Sequence, residues 1–378
     1  MSRVLLVTNV PTPYRVPLFA ELHRQLSALG HQLRVVFGAA GYARRSWEVS
    51  LDGCGFDHRV LRSRSARIGG DAERTAFSYG GLGAEVDAFA PDVVVVSGFS
   101  AATARLWLRR LRGGPPYMIW SGSVPHPGRL DSLARRVARR LLARRASGAV
   151  AYGTAATDYL QRLGVPPTAV HTAVNTVDTS FFADETDRLR CAECAARETV
   201  GRLLVVGYLS PRKEVRRVLD LAERLARTRD DFVIDVVGDG DDRAALEADA
   251  AARGLGDRVV FHGYKQRHEL PAFLARSRAL LFQTGFDIWG LVLNEAMAAG
   301  VPCLASVNAG ATRDLVRHGE TGLEVDFADT ERAAELAGWL LDHPAEAAAL
   351  GARGRAHVEA HATLAVSARG FVDAVLAA

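Results

Sequence analysis

The sequence predicts an α/β architecture of two Rossmann-like domains with parallel sheets facing a central cleft, and three observations carry that prediction. Short apolar runs alternate with longer amphipathic stretches, as parallel βαβ units require. The alternation occurs twice, before and after a polar, cysteine-containing stretch at 183–199. The four successive valines at 93–96 are what a strand buried on both faces of a parallel sheet looks like. The two domains are therefore expected at residues 1–190 and 191–378.

In the first half, strands are expected at 3–8, 32–37, 58–61, 92–97, 117–120 and 148–152. Helices fill the intervals, for example 16–29, with Gly30 as its C-terminal cap. The second series places strands at 203–206, 232–237, 259–262, 279–282, 302–305 and 323–325. The last stretch, 345–378, is alanine-rich and reads as helical. Open parallel sheets take ligands at the carboxyl ends of their strands, so with two of them the cleft is the expected site.

With 378 residues, 48% of them hydrophobic and 24% charged, the chain has the composition of a globular protein large enough for two cores. No apolar run approaches the ~20 residues needed to cross a bilayer. The first residues lack the cationic front and cleavage site of a signal peptide, so a cytoplasmic location is expected. Four cysteines, Cys54, Cys191, Cys194 and Cys303, are too few and too scattered for a disulfide framework. Cys191 and Cys194 form a C-x-x-C, but a structural zinc needs two further soft ligands close by. No metal is expected, and the segment reads as a solvated interdomain stretch.

Net charge is +4, with acidic and basic residues interspersed and no basic stripe interleaved with aromatics, which argues against a nucleic-acid partner. One segment departs from this mixture. Residues 133–146, LARRVARRLLARRA, form a basic amphipathic helix suited either to a solvated face or to peripheral contact with an anionic membrane. Of 47 lysines and arginines only Lys213 and Lys265 are lysine. A lysine kept against that bias marks a place where a compact ammonium serves better than a planar guanidinium.

The most informative segment is 287–302, DIWGLVLNEAMAAGVP. It follows the apolar run ALLF, turns through Gly285 and Gly290, and enters a short helix ended by Gly300. The amides of Gly290, Leu291 and Val292 open that helix without intrahelical acceptors and carry positive partial charge, which suits a diphosphate. Glu295 lies in the early turns of the same, otherwise apolar helix. Burying a lone carboxylate costs on the order of several kcal/mol, so it needs a partner. A ribose diol and an arginine such as Arg313 are the two alternatives. Asp239 and Asp241 imitate a metal-binding pair, but their context, VVGDGDDRAALE, reads as a glycine turn and a helix cap. Gly238 and Gly240 begin a dinucleotide fingerprint whose third position is Arg243, where close packing wants Gly or Ala.

On these residues the chain resembles the retaining glycosyltransferases of family four, which share the glycosyltransferase B fold. The family hallmark is a pair of acidic residues with seven between them, running into EAMAxGxP. Asp287 and Glu295 keep the spacing, with Asp where the family usually has Glu. TNVPTPYRVPLF near the amino end resembles the family's first strand and loop, and GTAATDYLQRLG at 153–164 the segment before its interdomain linker. VGYLSPRK at 206–213 is similar to the strand and loop that hold the donor diphosphate. Lys213 falls on the lysine position there, Tyr208 stands where arginine is usual, and Arg212 is the neighbour placed to compensate. FHGYK at 261–265 resembles the loop that meets the nucleobase, and NAGAT at 308–312 a glycine-bearing loop facing the cleft.

The resemblance implies transfer of a sugar from a nucleotide diphosphate donor, a UDP-sugar, to an acceptor hydroxyl, with retention and without metal or other cofactor. Residues 1–190 would bind the acceptor and 191–378 the donor, the terminal helix packing back on the first domain. Lys213, Asp287 and, from the acceptor side, His126 are the implied catalytic residues. Glu295, Gly290, Leu291, Val292, Arg212, Tyr264 and Lys265 are the implied donor contacts. Arg15 and Ser97 end predicted strands and face the cleft. The acceptor would be a saccharide, a lipid-linked glycan or a small natural product. A sugar-nucleotide epimerase, a phosphorylase on the same architecture, and a catalytically degenerate nucleotide-binding member are the competing readings. Asp287 and Tyr208 favour the last.

Overall fold

The computed structural model describes residues 1–41, 49–63, 65–67, 75–125, 132–193 and 200–378, with 65–67 and 192–193 as backbone alone. The chain divides into two compact units, Met1–Val177 with Leu364–Ala378, and Asp178–Thr363.

The first unit begins with β1 (Arg3–Thr8), α1 (Arg15–Ala28), β2 (Gln32–Phe37), β3 (Asp57–Val60), β4 (Ser65–Arg67) and β5 (Thr75–Phe77). It continues through α2 (Leu82–Phe89), β6 (Val93–Ser97), α3 (Ala101–Arg110), β7 (Tyr117–Ser121), α4 (Leu133–Arg145), β8 (Gly148–Ala151), α5 (Thr154–Arg162) and β9 (Val170–Thr172). Among the described residues, seven of these strands form one sheet in the order β3-β2-β1-β6-β7-β8-β9, every pair parallel. β4 and β5 form a separate antiparallel pair. The four valines of β6 are buried, Val94 and Val96 in the core on one face and Val93 and Val95 in the core on the other. β9, a three-residue edge strand, is absent from the sequence expectation because three residues show no period.

The second unit opens with α6 (Thr179–Glu193), β10 (Gly201–Val206), α7 (Arg216–Ala226), β11 (Phe232–Val237), α8 (Arg243–Ala252), β12 (Val259–Gly263) and α9 (Leu270–Arg276). Then come β13 (Ala279–Phe282), α10 (Leu291–Ala298), β14 (Cys303–Ser306), α11 (Gly310–Leu315), β15 (Leu323–Val325), α12 (Thr330–Asp342) and α13 (Pro344–His361). Its sheet is parallel throughout, in the order β12-β11-β10-β13-β14-β15. A carboxylate sits inside it. Asp235 of β11 is buried and bonded by Arg202 at 3.2 Å and His262 at 2.6 Å, with Arg276 at 3.4 Å, which meets the need of a buried charge for partners.

Two expectations need correction. The described part of the stretch expected as a solvated linker is helical and packed, because Phe182, Ala183 and Thr186 of α6 are buried and the helix lies on α9 and α10. The polar residues between them, Asp184, Glu185 and Asp187, hid this in the sequence. The division between units consequently falls at Val177, ahead of residue 190. The expected terminal helix is two helices, α13 and α14 (Leu364–Leu376), assigned to different units.

α14 completes the core of the first unit. It packs against α1, β8 and β9, burying Phe371, Val372 and Ala374, with the Phe371 ring 5.1 Å from that of Trp120. Among the described residues no helix is long and apolar enough to cross a membrane. Phe371→Ala is expected to destabilise the first unit by about 3–5 kcal/mol, as large-to-small changes at packed aromatics do. Urea unfolding followed by tryptophan fluorescence should show the lower midpoint, and an unchanged midpoint would mean that α14 is dispensable.

Candidate active site

In the second sheet the strand order turns back between β10 and β13, which are neighbours in space though far apart in sequence. At such a turning point the crossovers leave for opposite sides of the sheet, and the carboxyl ends of the two strands are the usual ligand site. Lys213 is on the first of these loops and Asp287 on the second.

The two side chains meet as an ion pair, Lys213 Nζ on Asp287 Oδ2. Arg212 reinforces the junction, donating from Nη1 to the Phe286 carbonyl at 2.7 Å and standing 3.8 Å from Asp287 Oδ1. The Gly285 amide donates back to the Arg212 carbonyl at 3.1 Å. A third loop, after β14, joins through backbone: the Asp287 amide donates to the Asn308 carbonyl, and its carbonyl accepts from the Gly310 amide, each at 3.1 Å. Burial pushes the Asp287 carboxyl upward in pKa, but Lys213 and then Arg212 outweigh it and hold the group below its ordinary value.

Backbone conformation fixes the loop ends. Glu214 follows Lys213 at φ +48, a left-handed geometry that costs a side-chain-bearing residue roughly 1–2 kcal/mol. Gly290 caps α10 at φ +103, and a Cβ there would run into the Phe282 ring. The same ring lies 5.7 Å from Lys213 Nζ. Buried Trp289 donates from Nε1 to Asn294 Oδ1 at 2.9 Å, pinning the first turn of α10 from within. Leu291 and Val292, first in that helix, have no carbonyl a turn behind them, so their amides stay available to an anion.

Glu295 projects from α10 with no side-chain hydrogen bond or ion pair among the described residues. Arg313, one of the two alternatives read from the sequence, does not pair with it. Burial raises the Glu295 carboxyl to about 7, against the opposing field of Arg267. Arg267 lies over the Phe181 ring at 4.1 Å and pairs with Asp178 at 3.0 Å. It escaped the sequence reading because nothing in local spacing links the loop after β12 to α10.

Other expected residues sit apart from this junction. Lys265 pairs with Glu269 at 3.3 Å, and Tyr264, exposed, donates to Gln266 at 3.2 Å. Tyr208 donates to Asp241 at 3.3 Å. Neither Asp239 nor Asp241 caps α8, contrary to expectation: the residue before it is Asp242, and Asp239 instead accepts from the Gly240 amide at 2.9 Å. Gly238 and Gly240 are glycines because a Cβ at either would strike the backbone of Gly207 or Leu209. That close approach ties the Lys213 loop to the one after β11, with Leu209 donating to Asp239 at 3.0 Å and Asp242 to Leu209 at 3.1 Å. In the first unit Arg15 is packed rather than presented, donating to Thr8 and Tyr152 with its guanidinium 4.4 Å from the Trp120 ring. Ser97 ends β6. His126 and Cys194 lie outside the described residues.

A carboxyl raised to about 7 from 4.5 costs folding nothing below its unfolded value, progressively more as pH rises from there, and its full penalty once pH has passed the folded-state value. Glu295→Gln should therefore match the parent in ligand-free stability near pH 4.5 and exceed it by about 1–3 kcal/mol above pH 8. Urea melts across that range check this, and a gap that does not widen with pH would show the carboxylate to be satisfied.

Comparison with known proteins places this geometry. A family model described as "Glycosyl transferases group 1" matches residues 193–357, and one described as "Glycosyltransferase Family 4" matches 18–181. The GDP-mannose-dependent alpha-(1-6)-phosphatidylinositol monomannoside mannosyltransferase of Mycobacterium tuberculosis is 36% identical over 191 residues, 47% of this chain and 49% of that protein. The N-acetyl-alpha-D-glucosaminyl L-malate synthase of Bacillus anthracis is 32% identical over 136 residues, 35% of each. The chain spans about half the length, or less, of the curated relatives it matches. Among solved structures, HepE of Anabaena in complex with UDP superposes with a TM-score of 0.78 at 18% identity, covering 100% of both chains. Sucrose-phosphate synthase of Thermosynechococcus elongatus does so at 0.76 and 18%, covering 100% of this chain and 98% of that one. These two show the fold, which is that of the glycosyltransferase B proteins. With the amino-terminal half matching one model of the group and the carboxy-terminal half the other, the chain belongs to glycosyltransferase family four.

Proposed function

We propose that the chain transfers a glycosyl group from a nucleoside diphosphate sugar to an acceptor hydroxyl, with retention and without a metal ion. The observation that carries this is the junction at the turning point of the second sheet. An ammonium, a run of open amides and an unpartnered carboxylate stand on the two loops and the helix at the carboxyl end of that sheet. Each meets a different part of such a donor. The Lys213 ammonium has three donors, so it can keep Asp287 and still bond a phosphate oxygen. The amides of Leu291 and Val292 add the positive end of α10. Glu295, ionised, accepts from both hydroxyls of a ribose diol, which supplies the partner it lacks. Tyr264 and Lys265, after β12, border the nucleobase.

When the sugar leaves, negative charge grows on the terminal phosphate. Donors already in place stabilise it without reorganising, which is the efficient form of electrostatic catalysis. Asp287 holds Lys213 in position for this and lies within reach of the sugar. In the retaining scheme the departing phosphate oxygen takes the proton of the incoming hydroxyl, so the protein need supply no base in the second unit. The nucleobase is open between uracil and guanine: the mycobacterial relative is named for GDP-mannose, and the Anabaena structure holds UDP. A thermal-shift comparison of UDP and GDP distinguishes them, since a ligand at 100 times its dissociation constant adds about 2.7 kcal/mol.

Release of nucleoside diphosphate from a panel of nucleotide sugars tests the proposal. Lys213→Ala is expected to lower turnover at least about a hundredfold with the fold intact. Near-normal turnover would remove Lys213 from the mechanism, and no release from any donor by the parent chain would favour a nucleotide-binding protein without catalysis. For Glu295→Gln, calorimetry should show weaker nucleotide binding at pH 8 and a smaller gap at pH 6, where the parent carboxyl is largely protonated. Equal affinity at both pH values would exclude the diol contact.

A further inference from the structure

α4 is built the reverse way from an ordinary surface helix. Such helices turn their apolar stripe to the core and their charges to water. Here Leu133, Val137 and Leu141, spaced four apart on one face, are 74%, 47% and 53% exposed, while only Ala143 of the helix is fully buried. Arg136, Arg140, Arg144 and Arg145 flank or continue this stripe; all four are exposed, and their side chains make no hydrogen bond or ion pair among the described residues. Arg139, on the opposite face, turns inward to the Tyr159 hydroxyl at 2.7 Å. The inward contacts of α4 thus come from Arg139, Leu142 and Ala143, and the apolar stripe takes no part in them.

The neighbouring helix extends the surface. α3 packs beside α4 and seats Ala102 and Leu106 in the core, leaving Leu108 and, just past its end, Leu111 about half exposed. Arg105 and Arg112 are exposed as well, Arg105 donating to the Tyr79 carbonyl. Neither helix contains an aspartate or glutamate. Five large aliphatic side chains on these two neighbouring helices are thus exposed among arginines.

We propose that this face docks the first unit on an anionic lipid bilayer, with α4 lying in the plane of the interface. The aliphatic stripe would enter the boundary between headgroups and acyl chains, while the long arginine stems let the guanidiniums reach back to lipid phosphates. Charge selects the occupant. A second copy of the chain would bring arginine against arginine, and a neutral partner would leave them unmatched, whereas an anionic leaflet meets apolar and cationic groups together. The proposal does not depend on the reading of the donor site.

Flotation of the full chain with vesicles tests it. Vesicles of phosphatidylcholine containing about 30% phosphatidylglycerol should carry the chain, and vesicles of phosphatidylcholine alone should not. About 0.5 M salt should weaken the association, since it shortens the screening length to a few ångströms. Replacing Leu133, Val137 and Leu141 together by Gln should lower vesicle affinity at least about tenfold at unchanged melting temperature. No association, or equal association with both vesicle types, overturns the proposal. So does a concentration-dependent dimer in sedimentation that the same substitutions abolish. Should the triple variant melt early, Val137→Trp gives a second reading: its emission should move to shorter wavelength on the anionic vesicles, and an unmoved spectrum counts against docking.

Discussion

A parallel sheet whose strand order turns back at its centre sends its crossovers to opposite sides, so the two loops at the turning point diverge and leave a gap that no connection covers. The second unit is organised around that constraint. β10 and β13 lie side by side, and the loops that follow them carry Lys213 and Asp287 to the two lips of the gap. The ion pair between them closes the gap chemically without filling it. It satisfies a carboxylate whose burial alone would cost several kcal/mol, and it fixes the position of the Lys213 ammonium.

The surroundings serve to hold those two lips at a fixed distance. Backbone bonds run from the Lys213 loop to the loops after β11 and β13, and from Asp287 to the loop after β14. The glycines at 238, 240 and 290 occur where a side chain would strike neighbouring backbone or the Phe282 ring. Glu295 is the exception in this well-satisfied region. A half-buried carboxylate without a partner weakens the ligand-free chain, and such a cost is characteristic of positions kept for binding rather than for folding.

The first unit shows a different economy. Its sheet repeats the strand order of the second at β3-β2-β1-β6, yet the residue at the end of its first crossover loop, Arg15, is consumed by Thr8, Tyr152 and Trp120. Its core is finished by a helix from the far end of the chain, with Phe371 against Trp120. Its least economical feature is α4, which gives aliphatic surface to water and turns an arginine inward.

Sequence alone determined the fold class and most of the strands, because buried parallel strands are short unbroken apolar runs and their period survives without knowledge of neighbours. It also singled out Lys213, Asp287, Gly290 and Glu295, since a family motif and a lysine among arginines are local signals, and the structure brings the first two together. It misjudged 183–193, where Thr186, with Phe182 just before, is too isolated among acidic residues to announce a buried face. What only the tertiary structure decided were relations between segments far apart in the chain. Lys213 with Asp287, Arg267 near Glu295, Gly238 against Gly207, and the outward direction of the α4 stripe are all of this kind. Periodicity states that a helix has an apolar side, but which way that side faces is fixed by the elements that pack on the other.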